Sequence, residues 1–163
     1  MAFDAFIKIK DIPGESNDKK HAGEIEVESF SWGVSQSGSA ASGTGHGGGK
    51  AQLQDFSFVK RVDKSTPNIM QHCCTGKHIA EVTFVTRKAG GEQVEYLKYK
   101  FSDVIISSYQ IGGAGKGQDD IPMETITMNF TKITVDYQEQ GQDGKPKGGP
   151  VHGGWNVKEN VVA

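Results

Sequence analysis

The chain has 163 residues, with 20 acidic and 18 basic side chains and a net charge of −2. One domain is expected at this length, and the balanced charge favours neither a nucleic acid nor an anionic membrane as a partner. No apolar run approaches the ~20 residues of a membrane span. The N-terminal segment MAFDAFIKIKDIPGE carries charges through its apolar part, unlike an ordinary signal peptide. We therefore expect a protein made in the cytoplasm that does not leave it by the usual route.

Strand patterns dominate, beginning with FDAFIKIK at residues 3–10. The next candidate strand covers residues 24–37, but the phase of its apolar residues slips by one position. Those residues are Ile25, Val27, Phe30, Trp32 and Val34. Because such a slip would put half of the strand on the wrong face, we predict a β-bulge near Glu28 and Ser29.

Residues 43–49, GTGHGGG, satisfy the pattern G-x-G-x-x-G of dinucleotide-binding loops. That fingerprint needs a helix directly after the glycines, whereas residues 53–62 are rich in aromatic and β-branched residues and predict a strand. The P-loop pattern also fails, because it would need a glycine at Thr44 and a hydroxyl at Ala51. We predict no phosphate or cofactor site here, and we interpret the Gly- and Ser-rich residues 35–50 as a long loop of linker composition. A loop of this length in a compact domain usually has a function or is disordered.

One helix is predicted near residues 67–75. Ser65 and Thr66 offer a hydroxyl cap, Pro67 suits the first helical position, and Gly76 ends the helix. The apolar residues at helical spacing are Ile69, Met70, Cys73 and Cys74. A helix this short must pack against the sheet, so we predict Met70 to be a core residue.

The remaining pattern is again of strands. Residues 78–88 and 93–106 predict a hairpin joined by Ala-Gly-Gly-Glu, and residues 125–137 show a second phase slip. Flexible loops are expected at 112–122 and 138–150, and a short terminal strand within 153–163. Bulged strands, meander turns and one small helix predict a mainly β, antiparallel barrel or sandwich.

The sequence offers little catalytic chemistry. The five histidines form no recognisable cluster, and Asp119 and Asp120 have no supporting motif. A metal site from His72, Cys73, Cys74 and His78 matches none of the usual zinc spacings. Adjacent cysteines are poorly placed to pair with each other, so both are expected to be reduced. The basic pair at residues 60–61 is expected to be solvated. We predict no enzyme, no metal and no cofactor.

Taken together, several segments resemble the Hcp family, the haemolysin-coregulated proteins of type VI secretion systems. The resemblance runs in order along essentially the whole chain. The segments that carry it are FIKIKDIPGES (6–16), SFSWGVSQSGS (29–39), DKSTPNIMQHCCTGKHI (63–79), RKAGG (87–91), QVEYLKYKFSDVIISS (93–108) and GGWNVKENV (153–161).

The resemblance implies a bent β-barrel of two sheets with one short flanking helix, in a single domain over residues 1–163 without a fused C-terminal effector domain. It implies hexameric rings that stack head to tail into the inner tube of a contractile machine. The implied partners are a spike protein of the VgrG type at the tube tip, the contractile sheath and small effectors carried in the ring lumen. Export would then need no signal peptide. An alternative from another class is a secreted effector or binding module that acts on a host or target-cell surface.

Three sets of residues follow as site predictions. Strand alternation after the bulge puts Ser31, Gly33 and Ser35 on the face opposite the apolar residues, which in the family's wide pore would face the lumen and contact cargo. The glycines of the long loop are predicted to contact a neighbouring subunit or ring; they are Gly43, Gly45, Gly47, Gly48 and Gly49. Thr66, Pro67 and Met70 are predicted to cap and pack the helix.

Overall fold

The computed structural model describes residues 2–38, 49–91, 93–116 and 121–163. Within these residues the chain forms eleven strands and one helix. They are β1 (Phe3–Ile9), β2 (Ile25–Val27), β3 (Ser29–Ser31), β4 (Val34–Gln36), β5 (Ala51–Leu53), β6 (Phe56–Arg61), α1 (Thr66–Thr75), β7 (Ile79–Lys88), β8 (Glu95–Gly112), β9 (Met123–Tyr137), β10 (Val151–Asn156) and β11 (Val161–Val162). The helix is not long and apolar enough to cross a membrane, and the described ranges contain no other that is.

In the described part of the chain, nine strands form one antiparallel sheet in the order β11-β10-β9-β8-β7-β1-β2, with β6 paired to β9 and β3 paired to β6. Strands β4 and β5 form a separate two-stranded sheet. The prediction of a mainly β fold with two sheets and one helix is confirmed. The large sheet is not closed by a continuous ladder, because β2 pairs with β1 whereas β3 pairs with β6.

The first phase slip coincides with this change of partner. Ile25 and Val27 are buried in β2, and β3 begins at Ser29. Between the two strands, the backbone N–H of Glu28 donates to the carbonyl of Val59 at 2.8 Å. The predicted irregularity near residues 28–29 is therefore confirmed in its position, and it allows one segment to serve two neighbouring strands.

The second slip leaves β9 unbroken. Phe130 and Ile133 are both buried although they are three positions apart. The pairs Ser102 with Lys132 and Val104 with Phe130 flank Asp103 on the neighbouring strand β8, and the φ of Asp103 is 50°. The two halves of β9 thus bury opposite faces where its partner takes a backbone conformation that is uncommon outside glycine.

The core is built on aromatic rings from several strands. Phe56 lies with its ring centroid 4.9 Å from that of Phe101 and 5.1 Å from that of Phe84, and both pairs are tilted. All three side chains are fully buried. Tilted contacts at these distances add to the stabilisation from burial, so the rings fix the spacing of β6, β7 and β8.

The helix begins at Thr66, one residue earlier than predicted, and ends at Thr75 as predicted. Pro67 lies in its first turn and Gly76 follows its last residue. Ser65 takes the N-cap position without a side-chain capping bond. The φ of Gly76 is 65°, the left-handed conformation that favours glycine after a helix. Ile69 is fully buried, but Met70 is 44% exposed. The prediction of Met70 as a core residue is therefore wrong, because its neighbour Ile69 takes the position facing the sheet.

The strand predicted for residues 24–37 is divided after Ser31. Trp32 and Gly33 lie outside the strands, and the indole N–H of Trp32 donates to the carbonyl of Gln54 at 2.9 Å. Val34 starts β4 in the small second sheet and is 56% exposed. The expectation that Val34 continues the apolar face is wrong, since the two-stranded sheet does not extend the large one.

Candidate functional site

A row of small hydroxyl side chains crosses four strands of the large sheet. Ser31 of β3 pairs with Ser57 of β6, Ser57 pairs with Thr127 of β9, and Thr127 pairs with Ser108 of β8. We call these four residues the hydroxyl row. The neighbouring residue Met128 pairs with both Phe56 and Ile106, and all three are buried. Because successive side chains alternate between the faces of a sheet, the hydroxyl row lies on the face turned away from the core.

One end of the hydroxyl row is tied together by its own hydrogen bonds. A register shift in β8 between Ile106 and Ser108 leaves two consecutive serines beside Thr127. The Ser107 hydroxyl donates to Asp55 Oδ2 at 2.6 Å and lies 2.7 Å from Thr127 Oγ1, which is 2.5 Å from Ser108 Oγ. These bonds hold three hydroxyls and one carboxylate in a fixed arrangement on an exposed surface.

The structure separates the three residues predicted for the lumen. Ser31 is exposed and belongs to the hydroxyl row, whereas Ser35 is exposed on β4 of the small sheet. Gly33 lies between the two sheets, half-buried, and its carbonyl accepts a hydrogen bond from the Gln54 backbone at 2.9 Å. A single strand face shared by all three does not exist, because the chain changes sheet between Ser31 and Val34. Contact with cargo remains a prediction for each.

The glycine-rich loop can be followed only at its base. Gly43, Gly45, Gly47 and Gly48 lie outside the described residues. Gly49 returns beside Ser37 and Gly38, and a Cβ atom there would collide with the Ser37 hydroxyl and lie 2.5 Å from the Gly38 nitrogen. The loop therefore needs glycine at position 49 for the close approach of its two ends. Its contact with other subunits remains a prediction.

A buried ionic network lies beneath the helix, and the sequence interpretation missed it. The Lys60 ammonium group donates to Glu124 Oε1 at 2.5 Å and to Asp63 Oδ1 at 2.9 Å, and both Lys60 and Glu124 have 0% side-chain exposure. Thr66 donates to Glu124 at 2.9 Å. Burial first, and then the hydrogen bond to Glu124 at 2.5 Å, raise the pKa of Tyr109 to about 12.

This network corrects two expectations. Lys60 is not solvated, since it takes the core-facing position of β6 and pairs directly opposite Glu124 of β9. The Thr66 hydroxyl does not cap the helix as an N-cap residue would. It accepts a bond from the Asp63 backbone at 3.1 Å and donates to Glu124. Thr66 thus connects the start of α1 to the sheet.

A second polar cluster holds the segment between β1 and β2. His21 is 6% exposed and stacks on Phe6 with ring centroids 4.4 Å apart. Arg87, which is 2% exposed, forms ion pairs with Asp18 and with Asp4 at 3.4 Å. The hydrogen bond from Arg87 lowers the pKa of the Asp18 carboxyl to about 2, and the same bond raises the pKa of Arg87.

Large apolar side chains are exposed on β9, β10 and β11 of the large sheet and on β4 of the small one. Val151 of β10 is 70% exposed and Val162 of β11 is 78% exposed. Tyr137, which pairs with Val151, is 48% exposed, and Val34 on the small sheet is 56% exposed. Exposed edge strands with apolar side chains are surfaces to which other chains bind.

No catalytic arrangement or metal site emerges from the described residues. They contain no group of three or more His, Cys, Asp or Glu side chains placed to hold a metal ion. The histidines at 78 and 152 each contact one exposed carboxylate, of Asp103 and Asp136, at 2.7 and 2.6 Å. The surfaces that the geometry offers are therefore the hydroxyl row and the exposed apolar edges, which suit contacts with other proteins.

Comparison with known proteins gives the family. A family profile described as "Type VI secretion system effector, Hcp" matches residues 6–137. The chain belongs to the Hcp family. It is 53% identical over 164 residues to "Protein hcp1" of Pseudomonas aeruginosa, with all of both chains covered.

Solved structures agree with this assignment. The crystal structure of Hcp1 from Salmonella typhimurium superposes with a TM-score of 0.83 at 34% identity over 100% of both chains. A type VI secretion system effector from Yersinia pestis superposes with a TM-score of 0.77 at 38% identity, covering 94% of this chain and 100% of that one. The resemblance found in the sequence is confirmed, and the protein is an Hcp-family protein of type VI secretion.

Proposed function

We propose that this Hcp protein is the subunit of a secretion tube, forming hexameric rings that stack head to tail and carry small effectors in their lumen. The observation that carries this proposal is the hydroxyl row, a strip of small polar side chains across four strands, with Ser31 and Ser108 exposed and Ser57 and Thr127 half-buried. In a ring, such a strip gives a smooth wall along which a folded cargo passes without strong ionic contacts.

The exposed apolar edges support the assembly. Val34 and Val151 lie on different sheets and both are more than half exposed. A ring needs two different surfaces that fit one another, because a head-to-tail contact is not self-complementary. We propose that its partners in the secretion machine are a spike protein and a contractile sheath. The subunit is made in the cytoplasm and exported through that machine, and it forms a single domain without catalytic activity.

The cargo surface is tested by enlarging one side chain of the hydroxyl row. We expect Ser31→Tyr to leave the rings intact by negative-stain electron microscopy and to reduce the amount of effector that copurifies with them. Thr75→Tyr is the matched control, since Thr75 is exposed at the end of α1 rather than in the hydroxyl row. Loss of the ring in Ser31→Tyr alone would show that Ser31 is buried between subunits.

The assembly role of the glycine-rich loop is tested separately. Ordering such a segment costs on the order of 1–2 kcal/mol per residue, which a partner surface must offset. We expect a variant with residues 39–48 shortened to a tight turn to keep the melting temperature of the subunit by circular dichroism. Stacking of rings, and with it secretion, should fall sharply. Unchanged tubes and secretion would mean that the loop is a passive linker.

A further inference from the structure

His21 lies between two carboxylates that belong to different parts of the chain. Its Nδ1 is 2.6 Å from Glu24 Oε2, and its Nε2 is 2.7 Å from Glu95 Oε1. Glu24 follows His21 in the segment between β1 and β2, whereas Glu95 begins β8. The imidazole is therefore a cross-link between this segment and the turn end of the β7–β8 hairpin.

The geometry selects one form of the ring. A neutral imidazole donates from one nitrogen and accepts at the other, while a carboxylate only accepts. With a carboxylate oxygen against each nitrogen, a neutral His21 would leave one lone pair facing Glu24 or Glu95. Doubly protonated His21 satisfies both contacts with charge-assisted bonds.

We propose that His21 is a proton-controlled latch, which ties the segment of residues 13–24 to β8 when it is an imidazolium. When the second proton leaves to solvent, one of its two carboxylate bonds is lost and the segment opens more readily, while the Asp18–Arg87 pair still holds it to β7. Both of its carboxylate contacts are made within one chain. It gives a tube protein a segment that responds to the pH of the compartment it enters.

Charged groups lie around His21 on several sides. Three strands and the segment itself contribute charged groups to the cluster. They are Glu24, Asp18 and Lys20 on the segment itself, Asp4 on β1, Arg87 on β7 and Glu95 on β8. Asp18, with a pKa of about 2, stays ionised throughout the range in which histidine changes charge, and it is paired with Arg87. The carboxylates of Glu24 and Glu95 are thus the ones that pair with His21.

The segment that the latch holds has backbone bonds whose exchange can be followed. The amide of Ser16 donates to the Glu24 carbonyl at 2.9 Å, and the amide of Gly23 donates to the Ser16 carbonyl at 2.9 Å. These bonds close the segment on itself, so its opening exposes both amides. The amide of Phe84 in the central strand β7 is the internal reference.

Hydrogen exchange of the full chain tests the proposal. Between about pH 5.5 and about pH 8.5, where histidine changes charge, we expect the protection of Ser16 and Gly23 to fall about tenfold relative to Phe84, after correction for intrinsic exchange, as one charge-assisted bond is lost. Glu95→Gln supplies an amide that can donate to an unprotonated Nε2, so this variant should lose most of the pH response while remaining folded.

A matched control comes from the other end of the sheet. His152 also lies 2.6 Å from a carboxylate, that of Asp136, but it is half exposed and contacts only one. His152→Gln should therefore keep the full pH response at Ser16 and Gly23. A wild type without the response overturns the latch, as does a response of wild-type size in Glu95→Gln or its loss in His152→Gln. The same samples viewed by electron microscopy report the ring separately, so the proposed tube can fail while the latch stands, or the reverse.

Discussion

Removing Glu124 tests the energetics of the buried network beneath the helix. The side chains of Lys60 and Glu124 have no solvent exposure, so Glu124→Ala leaves an ammonium group in the core. Asp63 remains as its anionic partner at 2.9 Å, and its side chain is 15% exposed. Removing one member of a buried pair costs about 3–5 kcal/mol. Because Asp63 still compensates part of the charge, we expect a loss of about 3 kcal/mol in the free energy of unfolding.

The double variant Lys60→Met/Glu124→Leu is the control that separates charge from packing. It removes both charges and fills their space with apolar side chains, a replacement that is often neutral or stabilising. In both variants Tyr109 and Thr66 lose the hydrogen bond to Glu124, which lowers the stability by about 1 kcal/mol for each bond. Because the double variant leaves no buried ammonium group without its main partner, we expect it to be more stable than Glu124→Ala.

Urea denaturation measures both variants at one fixed protein concentration, because association of subunits adds to the apparent stability. Unchanged m-values would show that the same surface is exposed on unfolding. The reasoning fails if Glu124→Ala stays within about 0.5 kcal/mol of the wild type, the range of ordinary surface substitutions. It also fails if the double variant is no more stable than Glu124→Ala.

Three further predictions concern the helix and the Arg87 cluster. Ile69→Ala should lower the free energy of unfolding by about 2–5 kcal/mol, whereas Met70→Ala should lower it by less than about 1 kcal/mol, because Ile69 is buried and Met70 is not. Urea denaturation compares the two variants, and similar losses would contradict the assignment of the buried face. Gly76→Ala should cost about 1 kcal/mol, because the φ of Gly76 is 65°, and an unchanged melting temperature would argue against this conformation. The pKa of Asp18 is lowered from 3.8 to about 2, so its contribution to stability is present above about pH 4 and is lost as the pH falls toward 2. Melting temperatures measured between those values should therefore depend less on pH in Asp18→Asn, and an equal dependence in both proteins would contradict the pairing with Arg87.

Sequence patterns predicted the features that depend on a few neighbouring residues. The phase slip after Val27 marked the change of strand because side-chain direction has a period of two. Pro67 and Gly76 bounded the helix because each restricts or permits particular backbone angles. The same patterns did not identify which of Ile69 and Met70 faces the sheet. Both residues are apolar and are neighbours in sequence, so the apolar pattern of the helix includes them equally.

The buried ion pair left a signal that alternation could have found. Lys60 follows Phe56 and Phe58 at a spacing of two, and Glu124 precedes Ile126 in the same way. Each charge therefore occupies a position that its strand assigns to the core, and the two signs are opposite. One charge on an apolar face predicts a strand end, whereas two such charges of opposite sign predict a pair across adjacent strands.

The hydroxyl row, by contrast, depends on register, which no single strand contains. Ser31 and Ser57 become neighbours only because the chain changes partner at Glu28 and β3 then joins β6. Thr127 and Ser108 join the row only through the register shift after Ile106. Two local irregularities thus bring scattered small side chains into one line on the outer face of the sheet. Among the described residues, the hydrogen bonds bring one charged side chain to the row, that of Asp55, and they do so through Ser107. Contact with another protein there therefore depends on shape and on hydroxyl groups, and a single bulky substitution is the perturbation to which such a surface is most sensitive.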